Sequence, residues 1–140
     1  MAKIIFIEDE TEINLFLIDV LKEMGHEVEI AETSKRAENK LKENSYNLVV
    51  LDILLPDKKD PDAIPLIERG VRILRGIREG RFRVPASVPV LVITAVPERE
   101  VRGKIKDFLS KEGKGDMLEK PFTAGTFEKK VRELLGEEDG

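Results

Sequence analysis

Four apolar runs in this chain end in residues whose types could do chemistry together. Ile4 to Ile7 runs into Glu8, Asp9 and Glu10, Leu48 to Leu51 into Asp52, Val88 to Ile93 into Thr94 and Ala95, and Met117 and Leu118 lead to Lys120 and Pro121. Taken singly, each is ordinary loop chemistry, and a lone aspartate after a strand is more often a helix cap than a nucleophile. Gathered at one place they mean more. Carboxylates about 4 Å apart repel by roughly 4 kcal/mol at an effective dielectric of about 20, so Glu8, Asp9 and Asp52 together call for a cation. A hard divalent ion such as Mg²⁺ suits them, with Asp9 and Asp52 as direct ligands and Glu8 acting directly or through water. With that charge and the Lys120 ammonium in place, the Asp52 carboxylate can attack an activated phosphoryl group and form an acyl phosphate. Thr94 then offers a hydroxyl and Ala95 an amide donor, and a cis Lys120-Pro121 bond would orient the lysine into the crevice.

Such a site exists only if the elements around it bring the four run ends together. Runs without polar alternation are expected of strands buried on both faces, hence of a parallel sheet, and Val28 to Ala31 supplies a fifth strand. Between the strands the spacing turns helical. Ile13, Phe16, Leu17, Val20, Leu21 and Met24 form a stripe that stops at Gly25. Ala37 and Leu41 mark a second helix capped by Thr33 or Ser34, and Val71, Leu74 and Ile77 mark a third that stops near Gly80. Val101, Ile105, Phe108 and Leu109 make a fourth, and Thr123 caps a fifth that carries Phe127, Val131, Leu134 and Leu135. Five β-α pairs with right-handed crossovers point to an α/β fold, a three-layer, doubly wound sandwich with a five-stranded parallel sheet in the order 2-1-3-4-5. Ligands of such sheets sit at the carboxyl ends of the strands, where these residues fall.

Composition narrows the chemistry further. With 140 residues the chain fits one domain, expected over 1–136 with an acidic frayed tail at 137–140. It has no cysteine, which excludes disulfides, thiolate metal sites and thiol nucleophiles. The apolar stretch at Ile4 to Ile7 is too short for a signal core or a membrane span, so a cytoplasmic location without membrane contact is the default. A net charge of −4 with 37% charged residues disfavours direct nucleic-acid binding.

The four motifs, in this order and spacing, resemble the receiver domain of two-component response regulators, with a chemotaxis-response-regulator-like, flavodoxin-like fold. The resemblance runs from about Lys3 to Gly136. It rests on Ile7-Glu8-Asp9-Glu10 for an acidic metal site, Leu48 to Pro56 around Asp52 for the phosphoacceptor strand, Ile93-Thr94-Ala95 for a switch hydroxyl, and Lys120-Pro121-Phe122 for the lysine. It implies Mg²⁺-dependent phosphotransfer to Asp52 from a sensor histidine kinase or a phosphotransfer protein, with Leu54 giving the metal its backbone carbonyl. It also implies a signalling domain rather than an enzyme, since a hydrolase working through an aspartyl phosphate needs an acid/base where Leu54 stands.

Departures from the family pattern qualify these expectations. Gly70 is the expected equivalent of the glycine that opens helix three in the family, which makes 57–69 an insertion near the mouth of the site. Met117 stands where the family often has an aromatic that turns inward, so a switch through Thr94 must do without an aromatic rotor. Leu54 and Val96 cannot hydrogen-bond an attacking water through their side chains, so hydrolysis should be slow. Glu8 replaces the more usual aspartate and keeps the carboxylate. Arg69, Arg72, Arg75, Arg78, Arg81 and Arg83 recur around helix three and read as a solvated face, His26 as an exposed loop residue, and Tyr46 as packing at the sheet edge. The rival function is a phosphorylation-independent interaction module. With no effector domain after Gly136, output is expected from an unidentified effector partner, from self-association as a homodimer, or from a longer protein.

Overall fold

The computed structural model describes residues 1–8, 11–53, 66–94, 99–110 and 114–137, with the side chains at 11–14, 53, 66–69 and 99–101 excepted. Five strands, β1 (Lys3–Ile7), β2 (Glu27–Ala31), β3 (Leu48–Ile53), β4 (Val90–Thr94) and β5 (Gly115–Glu119), pair in the order β2-β1-β3-β4-β5, and every pairing is parallel. Apolar residues fill the central strands because helices cover both faces of the sheet, and all five residues of β4 are buried. The edge strands carry the charges, at Glu27 and Glu29 in β2 and at Asp116 and Glu119 in β5.

Helices α1 (Thr11–Glu23) and α5 (Ala124–Leu135) pack one face, where Leu17, Ile18, Leu21, Phe127 and Val131 meet Ile4, Phe6, Leu48, Val50, Leu91 and Ile93. Helices α2 (Ser34–Glu43), α3 (Leu66–Arg78) and α4 (Arg99–Ser110) pack the other, against Ile5, Ile7, Val49, Leu51, Val90 and Val92. This alternation is the period-2 geometry of a strand, and it decides which way each residue beyond the strand ends will point. Local signals set the helix limits. The Thr33 hydroxyl accepts from the Arg36 amide and the Thr123 hydroxyl from the Thr126 amide, while Gly136 closes α5 at φ 74°.

Four expectations are corrected. Helix three begins at Leu66, four residues before Gly70, because Leu66 and Ile67 stand seven residues before Ile73 and Leu74 on the same stripe, directly after Pro65. The last four residues of the expected 57–69 insertion are therefore helical, and the rest of it lies outside the described residues. Phe16 is 52% exposed, and Ile18 takes the core position beside Leu17 and Leu21. His26 is buried: its Nδ1 accepts from the Ala2 amide at 3.0 Å, and its Nε2 lies 4.0 Å from a Glu137 carboxylate oxygen. Arg78 is buried as well, while Arg72, Arg75, Arg81 and Arg83 are exposed as expected. Tyr46 does reach the sheet edge, where its hydroxyl donates to Glu29 of β2.

Candidate functional site at the carboxyl ends of the strands

Alternation along the strands sorts the candidate residues by face. In β3, Leu48 and Val50 face α1 and α5, and so by alternation does Asp52; Leu118 places Lys120 on the same side, and Ile4 and Phe6 place Glu8 there. The opposite parity, toward α3 and α4, belongs to Thr94, Met117 and Glu119. Register supplies the other coordinate. Ile7 pairs with Leu51, so one step further along both strands Glu8 comes beside Asp52, and Ile53 pairs with Thr94.

The Lys120 ammonium spans β4 to reach Asp52, 68 residues away in sequence, and donates to both carboxylate oxygens at 3.0 and 3.2 Å. The Asp52 side chain is fully buried and that of Lys120 is 24% exposed, so the pair interacts where water screens it little. Lys120 is held at its backbone too, its amide donating to the Thr94 carbonyl at 2.8 Å, and the Lys120-Pro121 bond is cis, as the sequence raised. Glu8 is 2% exposed and its amide donates to the Ala31 carbonyl at 3.0 Å, which ties the residue after β1 to the end of β2. Thr94 is fully buried. Of the sequence candidates, Glu8, Asp52, Thr94 and Lys120 thus come to one end of adjoining strands, whereas Asp9, Leu54, Ala95 and Val96 lie outside the described residues.

The donor chemistry suits a hard divalent cation. Two buried carboxylates, Glu8 and Asp52, lie at neighbouring strand ends, and the Lys120 ammonium pairs with Asp52, an arrangement whose remaining negative charge a cation would offset. Among the described residues no group of three or more acidic or histidine side chains is assembled.

Met117, half-buried, packs against the α2, α3 and α4 side of the core. It also lines a groove of about 530 Å³ between α4 and β5 with Arg102, Lys106, Leu109, Asp116 and Glu119, none of which belongs to the Asp52 cluster. Two features escaped the sequence. Arg102 of α4 pairs with Glu119 at 2.5 Å, and the Arg78 guanidinium is tied to backbone carbonyls. The only hint of the first was an acid immediately before Lys120, and nothing in the arginine spacing separates Arg78 from its exposed neighbours.

The family model described as the response regulator receiver domain matches residues 4–132. The transcriptional regulatory protein BasR of Escherichia coli K12 is 31% identical over 135 residues, 95% of this chain and 52% of that protein. CusR of the same organism, also a transcriptional regulatory protein, is 31% identical over 133 residues, 95% of this chain and 51% of its own length. The chain thus spans about half the length of these curated relatives. Among solved structures, a CheY-like response regulator receiver domain protein from Methanospirillum hungatei aligns with TM-score 0.71 at 22% identity, over 97% of this chain and 94% of that one. A two-component response regulator from Clostridium difficile aligns with TM-score 0.73 at 21% identity over the whole of both chains. At those identities the two structures speak to the fold.

Proposed function

The chain belongs to the response regulator receiver domain family, and from that premise we propose that Asp52 accepts a phosphoryl group from a partner histidine kinase or phosphotransfer protein, with Mg²⁺, to switch a protein-interaction surface. The observation that carries this reading is the contact of the Lys120 ammonium with both oxygens of the buried Asp52 across the intervening strand. A carboxylate can meet a phosphoryl group, itself anionic, only where positive charge is already positioned. Lys120 does this work in place, and its N–H groups turn to the phosphoryl oxygens as they arrive. One Asp52 oxygen bonds to phosphorus while the bond from phosphorus to the donor nitrogen breaks and its electron pair stays with the donor imidazole. The Thr94 hydroxyl and the Ala95 amide donate to the incoming oxygens. Glu8, Asp9, Asp52 and the Leu54 carbonyl are the residues that would hold Mg²⁺, which supplies charge neutralisation and aligns the phosphoryl group when bound.

The chain modifies itself and turns over nothing else, because Leu54 leaves no acid/base beside the nucleophile. Leu54 and Val96 also offer water no side-chain partner, so the phosphorylated state is long-lived. Among the described residues no helix is long and apolar enough to cross a membrane, and the proposed setting is the cytoplasm. The named relatives are regulators of transcription; for this chain the output partner, a homodimer or further chain included, follows from the switched surface, with no direct contact to nucleic acid by this domain.

Incubation with Mg²⁺ and acetyl phosphate, followed by intact-mass measurement, tests the proposal. The protein gains the mass of one phosphoryl group; Asp52→Asn gains none, chelation of the metal abolishes the gain, and Lys120→Ala slows it by about 10²-fold or more. A native protein that gains no phosphoryl group returns the chain to a phosphorylation-independent interaction module.

A further inference from the structure

The two ends of α4 are held by interactions of very different strength. At its C-terminal end the Arg78 guanidinium, 3% exposed, donates to the carbonyls of Phe108 at 2.9 Å and Leu109 at 3.5 Å in the last turn. The same group donates to Ala86 and Val88, both at 2.7 Å, at the entry to β4, and to Lys114 at 3.0 Å at the entry to β5. One buried cation therefore satisfies helix-terminal carbonyls that have no partner within the helix and faces the negative end of the helix dipole. Ile105 and Leu109 bury the same half of α4 in the core.

Nearer its N-terminus, among the described side chains, Arg102 pairs with Glu119 at the end of β5. That pair is partly exposed, at 28% for Arg102 and 59% for Glu119, and an ion pair of this kind gives way easily. Its position matters more than its strength. Glu119 is the register partner of Thr94 and the residue before Lys120, and it has the α4-facing parity of Met117. Gly103, a poor helix former, follows Arg102 directly.

We propose that the Arg102–Glu119 pair is a catch, and Arg78 the fixed anchor, of a helix that opens at Gly103, so that events at Asp52 release the first turn of α4 and leave its last turn in place. This rests on the phosphoacceptor reading above. When Lys120 turns from Asp52 to a phosphoryl group and Thr94 follows it, the ends of β4 and β5 shift, and the Glu119 carboxylate is carried off Arg102. This pair links the end of β5, beside Thr94 and Lys120, to α4.

Amide hydrogen exchange on the full chain tests it, because amides 103–106 donate to carbonyls of the first turn and amides 107–110 to those beyond. Without any phosphoryl mimic, Glu119→Gln and Arg102→Gln each speed exchange at 103–106 by about fivefold, and the double variant goes no faster than either single. Amides 107–110 keep their protection in all three and lose it in Arg78→Lys, which retains the charge without the planar fork. Mg²⁺ with beryllium fluoride speeds 103–106 in the native protein and adds little in Glu119→Gln. Unchanged exchange at 103–106 in Glu119→Gln, or equal acceleration of 103–106 and 107–110, overturns the proposal. Binding of beryllium fluoride is read separately from the Asp52 and Lys120 amide resonances. If these shift while 103–106 stays protected, the catch is refuted; if neither responds, the phosphoacceptor reading fails and takes the coupling to Asp52 with it, and the Glu119→Gln arm then reports only whether the pair holds the first turn.

Discussion

Asp52 and Lys120 are a pair whose two members should behave oppositely when removed. Lys120→Met leaves a buried carboxylate next to Glu8 with its ammonium gone, a loss expected to cost about 3 kcal/mol in urea unfolding. Asp52→Asn takes away charge from a crowded site and leaves Lys120 partly in water, so it is expected to unfold no more easily than the native protein and to gain up to about 1 kcal/mol. Equal destabilisation by the two would mean that the site is held by packing rather than by charge. Glu29 makes a second test at single-residue scale. The Tyr46 hydroxyl hydrogen bond holds the Glu29 carboxyl below its ordinary value, with Lys40 and Lys3 adding to this and burial opposing it. Its folded value is depressed, so its contribution is intact above about pH 4.5 and is lost as pH falls through the lower folded value. Burial first, then Glu29, push Tyr46 upward, so its contribution is intact below about pH 10 and is lost as pH climbs further. Tyr46→Phe should cost about 1 to 2 kcal/mol at neutral pH and flatten the stability profile on both flanks. Guanidinium melts across pH would show it, and flanks that keep their slope would contradict the assignment. None of this pairing was legible beforehand, because a tyrosine and a glutamate 17 residues apart meet only through β2 and the sheet edge.

Among the elements, α4 and β5 approach so closely that a single methyl group separates packing from clash. A Cβ built on Gly115 would lie 2.7 and 2.9 Å from Leu109 side-chain carbons and 3.1 Å from its carbonyl oxygen. Gly115→Ala should therefore cost about 1 to 3 kcal/mol, and lowered thermal stability with α4 still protected in its first turn would place the damage at this contact. A variant as stable as the native protein would show that α4 can retreat freely. Strand order and helix number were legible at this scale because continuous apolar runs and 3.6-residue stripes are consequences of two-sided burial, and the caps at Thr33 and Thr123 follow from backbone donors that need acceptors. The start of α3 was misread where the family's glycine outweighed the stripe itself, since Gly70 weakens a helix by about 1 kcal/mol without ending it. Phe16 was misread for a related reason: a stripe written as i, i+3, i+4 admits residues at its margins, and only packing against α5 and the sheet decides that Ile18 goes in and Phe16 stays out. His26 and Arg78 were assigned to solvent by residue type. Their burial depends on carbonyls and an amide brought from distant segments, which no local pattern announces.

For the molecule as a whole, the site exists only when the sheet is complete, since β1 contributes Glu8, β3 Asp52, β4 Thr94 and β5 the approach to Lys120. That is why Glu8, Asp52, Thr94 and Lys120 could be expected at one end of the sheet once the strand order was expected, and why the cost of gathering Glu8 and Asp52 falls on the global fold. Bringing Glu8 beside Asp52 opposes closure of the β1–β3 pair at its carboxyl end, and Lys120 offsets part of that from across the sheet. A cation bound only by the folded form shifts the folding equilibrium by mass action, by about 2.7 kcal/mol when its concentration is 100 times its dissociation constant. The expected result is a rise of several degrees in Tm as Mg²⁺ is added to the metal-free protein, saturating at high concentration and reversed by chelation. Na⁺ at matched ionic strength should not reproduce it, because screening acts on exposed charges and these carboxylates are buried. Glu8→Gln should need more Mg²⁺ for the same rise, and Asp52→Asn should begin from an equal or higher Tm and gain less. If Na⁺ raised Tm as much as Mg²⁺, or if Asp52→Asn responded like the native protein, the strand ends would not be the metal site, and the charge that the fold gathers there would be answered without a metal.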